Sequence, residues 1–209
     1  MYAPQDDTEL LTEALREEAP APGARVLDVG TGSGALALEA ARRGAEVTAV
    51  DVSRRAVWTA RLNAWLSRVP VRIRHGNLFA PVRDRTYDLI LANPPYVPAP
   101  DTRRAPRGRS RAWDAGDDGR LLLDRICRDA PALLRPEGVL LIVHSALSDP
   151  DRTLELLREA GLKAATVRRR WIALGPVLRS REDWLRRRGL LAPADDREEL
   201  VVIRAERPR

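Results

Sequence analysis

The 209-residue sequence predicts an α/β fold with a central, mostly parallel seven-stranded sheet, helices on both faces and an antiparallel last strand. Short apolar runs typical of buried strands alternate with amphipathic helical segments, which is the pattern of βαβ units. The last two strand-like segments have no full-length crossover helix between them, which favours the antiparallel finish. We therefore expect one domain over residues 1–209.

The first half of the chain predicts three helices and four strands. Leucines at 10, 11 and 15, with acidic residues in the first turn, indicate an amphipathic helix that Pro20 ends. Gly44 stops the second helix, and Ser53 is a residue type that caps helix N-termini. The predicted helices are 7–18, 35–43 and 53–66, and the predicted strands are 25–29, 46–50, 71–74 and 87–92.

The second half predicts a helix closed by Pro136 and Gly138, then a strand and a helix that Gly161 caps. A strand, a basic helix and a final strand follow. We expect an N-terminal helical segment over 1–24, a core over 25–173 and an insertion over 174–197 before the last strand. The predicted helices are 121–134, 149–160 and 180–188, and the predicted strands are 139–144, 164–173 and 200–205.

Composition excludes some classes of protein. No stretch approaches the roughly 18 apolar residues of a membrane span, and the N-terminus lacks a signal-peptide pattern, so we expect a cytoplasmic protein without membrane contact. Cys127 is the only cysteine, which excludes an internal disulfide and a thiolate metal cluster. His75 and His144 have no carboxylates at ligand spacing, so no metal site is predicted.

The net charge of +6 invites a nucleic-acid interpretation, but 30 acidic residues accompany the 36 basic ones, so charge alone decides nothing. An arginine cluster could steer an acidic or RNA-associated partner or form a solvated loop, and both remain open. Trp58 and Trp65, seven residues apart, are expected to pack rather than stack on bases. The cluster consists of Arg103, Arg104, Arg107, Arg109 and Arg111.

A glycine-rich turn follows the first strand. Gly30, Gly32 and Gly34 alternate between that strand and the next helix, where missing Cβ atoms let a ligand approach the backbone. Asp51 ends the second strand, 21 residues after Gly30, and is placed to accept both hydroxyls of a ribose. The spacing also fits a dinucleotide fingerprint, but the Asp28 that precedes the glycines argues against a dehydrogenase.

The tetrapeptide Asn93-Pro94-Pro95-Tyr96 follows the apolar strand 87–92, at the sheet edge where α/β proteins bind ligands. Two prolines stiffen this turn and remove two N–H donors. The side-chain oxygen of Asn93 and the carbonyl of Pro94 can accept hydrogen bonds from a planar amino group, and Tyr96 offers a ring for stacking.

These residues resemble the class I S-adenosylmethionine-dependent methyltransferases, with their Rossmann-like fold, over essentially the whole chain. The segment 28–34 resembles the cofactor loop, and 93–96 resembles the signature of members that methylate planar nitrogens. More narrowly, the chain resembles protein-glutamine N5-methyltransferases of the HemK type, which modify the Gly-Gly-Gln loop of peptide-release factors. Segments 2–11, 76–79 and 113–120 support this narrower resemblance.

The resemblance implies roles for individual residues. Thr8, Asp28 and Gly30 would hold the methionine portion of S-adenosylmethionine, Asp51 its ribose, and Asn77 and Leu78 its adenine. Asn77 departs from the aspartate usual in the family. The remaining expected cofactor residues are Gly32, Gly34, Val52 and Asn93; the expected catalytic residues are Asn93, Pro94 and Tyr96; and the expected substrate residues are Asn93, Pro95, Tyr96 and Trp113.

The expected partner is a protein substrate, with a peptide-release factor as first choice, and the need for a small activator subunit stays open. The same turn also serves enzymes that methylate an exocyclic amine of adenine or guanine in DNA or RNA, which is the alternative, less favoured here. A small-molecule or peptide substrate remains open too, and so does a catalytically idle RNA-binding protein on the same fold.

Overall fold

A computed structural model describes residues 6–100 and 113–209. It shows one seven-stranded sheet with the strand order β3-β2-β1-β4-β5-β7-β6. Strand β7 runs antiparallel to both of its neighbours, and the remaining pairings are parallel. This confirms the predicted sheet and its antiparallel finish. The strands are β1 (Arg25–Val29), β2 (Glu46–Asp51), β3 (Val71–His75), β4 (Tyr87–Ala92), β5 (Leu134–Ser145), β6 (Lys163–Ala173) and β7 (Arg197–Glu206).

Seven helices flank the sheet within the described part of the chain. Helix α1 packs on β5, β6 and β7 and contacts α2, which packs on β1 and β2. Helices α4 and α5 contact each other, and α5 covers the other face of β6 and β7. The helices are α1 (Asp6–Glu18), α2 (Ala35–Arg42), α3 (Arg54–Ser67), α4 (Leu123–Asp129), α5 (Pro150–Glu159), α6 (Pro176–Arg179) and α7 (Glu182–Arg187). None of them is long and apolar enough to cross a membrane.

The strand order explains where the site forms. Strand β1 lies between β2 and β4, with Val29 opposite both Val50 and Ala92. The chain leaves β1 toward one side of the sheet and later returns to its other side through β4, so the strand order reverses here. A crevice forms at the carboxyl ends of strands at such a reversal.

One boundary was predicted wrongly. Pro136 and Gly138 were expected to close a helix, but both lie inside β5, which already begins at Leu134. The register between β4 and β5 shifts between Tyr87 and Leu89, so the extra residues form a bulge. A bulge accommodates a proline and a glycine that a regular strand would not, and the preceding helix ends earlier, at Asp129, with a 3₁₀ turn.

The expected packing of Trp58 and Trp65 is also wrong. These side chains are 70% and 74% exposed on the outer face of α3. The buried face of that helix is instead lined by alanines and Val57, and Ser53 caps it by accepting a hydrogen bond from the N–H of Ala56. The seven-residue spacing predicted correctly that the tryptophans share a face but not which face is buried.

Helix α1 is tied to the antiparallel end of the sheet by ion pairs. Arg204 on β7 makes a two-pronged contact with Glu18, with nitrogen–oxygen distances of 2.7 and 3.0 Å. Arg168 on β6 pairs with Glu13 and Glu17, and Arg170 pairs with Glu13 at 2.6 Å. These contacts set the position of α1, whose first turn reaches the carboxyl ends of the central strands.

Gly119 is the tightest point in the loop that follows β4. Its φ of +76° lies in the left-handed region, and an added Cβ would lie 2.3 Å from the Tyr96 carbonyl oxygen and 2.4 Å from the Ser148 hydroxyl oxygen. The Ser148 hydroxyl donates to that same Tyr96 oxygen at 2.7 Å. A side chain at position 119 would therefore push apart two groups that hold the turn after β4.

We expect Gly119→Ala to lower the free energy of unfolding by more than about 3 kcal/mol, because the left-handed backbone and the collision both oppose it. Gly161→Ala is the matched control, since its φ is +86° and its Cβ would meet nothing within 4 Å. It should cost only about 1 kcal/mol. Equal losses in denaturant unfolding of the two variants would show that the collision has no effect.

Candidate functional site

A cleft of about 940 Å³ lies at the carboxyl ends of β1, β2 and β4. It is formed by the first turn of α1, the glycine turn after β1, the ends of β2 and β3, and the loop after β4. The fold thus brings together residues from five separate segments. Of the predicted site residues, the cleft is lined by Thr8, Gly30, Gly32, Asp51, Val52, Asn77, Leu78, Asn93, Pro94, Pro95, Tyr96 and Trp113.

The glycine turn is held from behind by Asp28. This residue is 1% exposed, and its Oδ2 accepts hydrogen bonds from the Thr31 hydroxyl at 2.6 Å and the Ala37 N–H at 3.1 Å. Burial raises the pKa of Asp28 to about 6, while those two bonds oppose the rise. Asp28 therefore lies behind the wall of the cleft and joins the turn to α2, as does Gly34, the N-cap of α2.

Asp51 is oriented by the backbone around it. Its Oδ2 accepts from the Gly32 N–H at 2.9 Å and its Oδ1 accepts from the Ser53 N–H at 2.7 Å. Each carboxylate oxygen retains lone-pair capacity, because it can accept more than one bond. A fixed acceptor pair beside a glycine turn suits a ligand with two neighbouring hydroxyl donors, such as a ribose.

The end of β3 supplies a second wall of the cleft. Gly76 follows the strand, and an added Cβ there would lie 2.7 Å from a ring carbon of Pro81. The next residues are Asn77, whose Oδ1 accepts a bond from Arg125 at 3.4 Å, and Leu78, which has a φ of +48°. This strained turn presents an amide and an apolar side chain together, which fits the edge and face of a flat ring.

Asn93 is oriented by a chain of hydrogen bonds that begins at a buried carboxylate. The Thr8 hydroxyl lies 3.2 Å from Asp7 Oδ1 and donates its only proton there. The Thr8 oxygen can then only accept from Asn93 Nδ2, which lies 3.3 Å away. The directions of these hydrogen bonds place the nitrogen of the Asn93 amide toward α1. The amide oxygen is therefore the end that can accept a hydrogen bond from a ligand.

Asp7 also holds Tyr96. The Tyr96 hydroxyl donates to Asp7 Oδ2 at 3.0 Å, and Asp7 Oδ1 accepts from the Thr8 N–H at 2.6 Å. Asp7 is only 3% exposed and Tyr96 only 8%. The sequence analysis did not select Asp7. Asp7 lies in the acidic first turn of α1 and in the segment 2–11 that supports the resemblance, but neither observation gave it a role, and its partner lies 89 residues away in the chain.

The loop that carries Trp113 is fixed by Arg120, another residue that the sequence analysis did not select for the site. Arg120 is 5% exposed and donates to the Ser148 carbonyl, to the Asp149 carbonyl at 2.7 Å and to Asp124 at 2.9 Å. Because an arginine has five N–H donors in a rigid plane, one side chain can tie these carbonyls to the loop. Arg120 supports the loop after β4 without lining the cleft.

A third buried carboxylate, Glu198 on β7, lies near the first turn of α1. Burial raises the pKa of Glu198 to about 7, a hydrogen bond with Ser145 opposes the rise, and the charges of Asp7 and Asp6 add to it. Its Oε2 has no hydrogen-bond partner among the residues that the structure describes. An ionised Glu198 is thus disfavoured in the folded protein.

Some predicted features fall elsewhere. The arginine cluster over 103–111 and the N-terminal part of the segment 2–11 lie outside the described residues. Within the described ranges, His75 and His144 lie far from each other in the fold, on β3 and β5, and no group of three His, Cys, Asp or Glu side chains could hold a metal ion.

Comparisons with known proteins identify relatives of this arrangement. The methyltransferase small domain family matches residues 4–105. A candidate protein N5-glutamine methyltransferase of Methanocaldococcus jannaschii is 33% identical over 164 residues, which cover 78% of this chain and 81% of the relative. The release factor glutamine methyltransferase of Deinococcus radiodurans is 40% identical over 192 residues, covering 88% of this chain and 66% of the relative. The chain thus spans less than two thirds of that bacterial relative.

A solved structure confirms the fold class. The E. cuniculi Mtq2–Trm112 complex, responsible for methylation of the translation termination factor eRF1, matches with a TM-score of 0.70 and 24% identity. The match covers 99% of this chain and 98% of that one. At this identity the match supports the fold and not the substrate.

We expect Asp7→Ala to lower the free energy of unfolding by about 1–3 kcal/mol, because it removes the carboxylate to which the buried Tyr96 hydroxyl and the partly buried Thr8 hydroxyl donate. Tyr96→Phe removes one partner and should cost less. In a double-mutant cycle by urea unfolding, the two changes should be non-additive. Glu159→Ala, an exposed carboxylate on α5, is the control and should stay within about 0.5 kcal/mol of wild type. Strict additivity would contradict the Asp7–Tyr96 contact.

Glu198 gives a pH-dependent prediction. Its pKa is higher in the folded chain than its ordinary value of 4.5, so the folded state keeps a proton that the unfolded state loses, and stability falls as pH rises from about 4.5 through about 7. Glu198→Gln removes this loss. The stability gained by the variant should therefore grow across that window, to the order of 3 kcal/mol by pH 8. A pH-independent difference in urea unfolding between Glu198→Gln and wild type would show that Glu198 ionises normally.

Proposed function

Because the chain belongs to the protein N5-glutamine methyltransferase family, we propose that it methylates a protein glutamine. The cofactor would be S-adenosylmethionine, and the acceptor would be the side-chain amide of a glutamine in a peptide-release factor. We place the reaction in the cytoplasm, where such factors act.

The observation that carries this proposal is the position of the Asn93 turn relative to the glycine turn. Val29 and Ala92 are paired neighbours on β1 and β4, so Gly30 and Asn93 leave the sheet side by side. A Cβ on Gly30 would lie 3.6 Å from the Asn93 backbone oxygen. A ligand on the glycine turn would therefore extend directly toward the polar atoms of the Asn-Pro-Pro-Tyr turn.

The cleft fits S-adenosylmethionine. Gly30 and Gly32 have φ values of +76° and +56°, which favour glycine, and without Cβ atoms the turn leaves space for the methionine portion. The fixed Asp51 carboxylate suits the ribose. Asn77 and Leu78 would border the adenine. When bound, this cofactor supplies an electrophilic methyl group on its sulfonium.

The chain's own residues would prepare the acceptor nitrogen. A glutamine amide is a poor nucleophile because its lone pair is delocalised into the carbonyl. If the Asn93 oxygen and the Pro94 carbonyl accept both amide hydrogens, they stabilise the positive charge that builds on the nitrogen during transfer. They also hold the lone pair in line for attack, while the Tyr96 ring supports the amide plane. The N–C bond would form as the S–C bond of the methyl group breaks, leaving a neutral thioether. The positively charged nitrogen would then release one proton to solvent, so this arrangement needs no general base.

Two kinds of support favour a protein glutamine as the acceptor. The names of the M. jannaschii and D. radiodurans relatives both specify glutamine methylation, and the latter specifies a release factor. The polar groups on the acceptor side, Asn93 and the Pro94 carbonyl, match a primary amide, which offers two hydrogens in one plane. An exocyclic amine of a base has the same local geometry, so the experiment must separate the two.

The test is incubation of the purified chain with radiolabelled S-adenosylmethionine and an extract of its source organism, followed by separate protease and nuclease digestion. The extract also supplies any activator subunit. We expect the label to be lost from the macromolecular fraction with protease and retained with nuclease, and mass spectrometry to find it on a release-factor glutamine. Label that survives protease and is released by nuclease would overturn the glutamine proposal in favour of a nucleic-acid base.

We predict that Asn93→Ala lowers turnover by roughly 10²–10³, the scale for loss of one preorganised polar group, while calorimetry finds cofactor binding mostly intact. Asn63→Ala is the converse control, because its side chain donates to the Ser33 carbonyl beside the glycine turn at 2.9 Å. That variant should weaken cofactor binding more than turnover. Equal loss of binding and turnover in Asn93→Ala would contradict the role of Asn93.

A further inference from the structure

The insertion over 174–197 folds as a small unit with its own core on the acceptor side of the cleft. It contains α6 and α7, and four of its leucines form an apolar cluster separate from the main core. Val97 and Leu147, which belong to the main body, pack against that cluster. The insertion therefore packs against the segment that directly follows the Asn-Pro-Pro-Tyr turn. The four leucines are Leu174, Leu178, Leu185 and Leu191.

Two segments of the main body pair beneath this insertion. The Val97 N–H donates to the Trp113 carbonyl at 2.8 Å, and the Ala115 N–H donates to the Val97 carbonyl at 3.1 Å. The Ala99 N–H extends the pairing to the Gly116 carbonyl at 2.7 Å. The residues that follow Tyr96 and the residues around Trp113 thus form one short parallel ladder, and the end of it that carries Tyr96 and Trp113 lines the cleft.

Arg181, from the insertion, bridges both segments of that ladder. One guanidinium nitrogen donates to the Pro98 carbonyl at 2.8 Å, and another donates to Asp114 Oδ1 at 2.6 Å. The side chains of Arg181 and Asp114 are each only 16% exposed. A largely buried, charge-assisted pair is much stronger than an exposed one, and the planar fork of arginine holds two acceptors at a fixed separation.

The position of these contacts relates them to the acceptor. Pro98 lies two residues after Tyr96, and Asp114 is adjacent to Trp113, and both Tyr96 and Trp113 line the cleft. None of the hydrogen bonds described above joins the insertion to the glycine turn or to Asp51. Loosening Arg181 should therefore shift the acceptor wall and leave the cofactor half of the cleft in place.

We propose that the 174–197 insertion determines acceptor specificity, with Arg181 as the positioning residue that fixes the Trp113 wall against the Asn-Pro-Pro-Tyr turn. This inference rests on the proposed function, because it assigns the wall to binding of the protein segment that carries the target glutamine. Arg181 acts through Pro98 and Asp114 and does not touch the reacting atoms.

The test compares Arg181→Ala, Arg181→Lys and Asp114→Asn with wild type, using the release factor of the same organism as acceptor. We expect the KM for the release factor to rise roughly 10- to 100-fold in Arg181→Ala, the scale for loss of a charged hydrogen bond. Turnover at saturation and the dissociation constant of S-adenosylmethionine should each change by less than about threefold. Arg181→Lys should recover part of the loss, since it keeps a charge but reaches one acceptor.

The matched control is Arg135→Ala, which breaks a 3.0 Å ion pair with Asp88 at the amino ends of β4 and β5, opposite the cleft. It should leave the KM for the release factor unchanged. The double variant Arg181→Ala with Asp114→Asn should have the same KM as Arg181→Ala, because both changes remove the same contact between Arg181 and Asp114.

Two results would overturn the inference. An unchanged KM in Arg181→Ala, with wild type active, would show that the insertion has no part in acceptor binding. A parallel decline of turnover, cofactor binding and folded fraction would show that Arg181 is only structural. Failure of the wild-type chain to methylate the release factor would instead refute the proposed function, and this inference with it.

Discussion

The acceptor side of the cleft depends on one buried carboxylate. Asp7 receives the Tyr96 hydroxyl on one oxygen and both the N–H and the hydroxyl of Thr8 on the other. Through Thr8 it also decides which end of the Asn93 amide faces the cleft. A carboxylate in this position is costly to bury unless its lone pairs are used, and here they are used to join the first turn of α1 to the loop after β4. Stability and orientation therefore come from the same bonds.

The position of Asp7 depends in turn on how α1 is held. The helix is long enough to span from the edge strands to the centre of the sheet, and the arginines on β6 and β7 hold its acidic face. Since several pairs share these carboxylates, they form a network rather than isolated surface pairs, and networks contribute more than single exposed pairs do. The antiparallel β6–β7 unit thus supports a site that lies on the parallel half of the sheet.

Much of the fold and several of the segments that line the cleft could be predicted from sequence because their signals are local. The glycine turn, Asp51 and the Asn-Pro-Pro-Tyr turn each directly follow or end an apolar strand, and a strand's carboxyl end is where such residues must lie. Asp7, Arg120 and Arg181 could not be found this way. Their partners lie 89, about 30 and 67 or more residues away in the chain, and no pattern in a single sequence reports a contact across that distance.

The errors have a similar physical origin. The helix before β5 was expected to continue to Leu134, because proline and glycine usually end helices, but a bulge in β5 accepts both residues. The tryptophans of α3 were expected to pack because they lie seven residues apart on one helix, yet the alanines of that helix are buried instead. In both cases the identity of the neighbouring element decided the outcome, and local preference did not.

The two halves of the cleft are therefore built by different means, and this bears on how such a protein can change its substrate. The cofactor half consists of backbone turns and the Asp51 carboxylate, which is bonded to residues close to it. A substitution there therefore disturbs the ends of the central strands themselves. The acceptor half is a ladder of two loop segments held by Arg181. Its contacts with the core include the bond between the Tyr96 carbonyl and Ser148 and the bonds of Arg120. Loop segments tolerate insertions better than core strands do. An insertion between β6 and β7 can consequently reshape the acceptor wall while the cofactor half of the cleft and the parallel sheet remain unchanged.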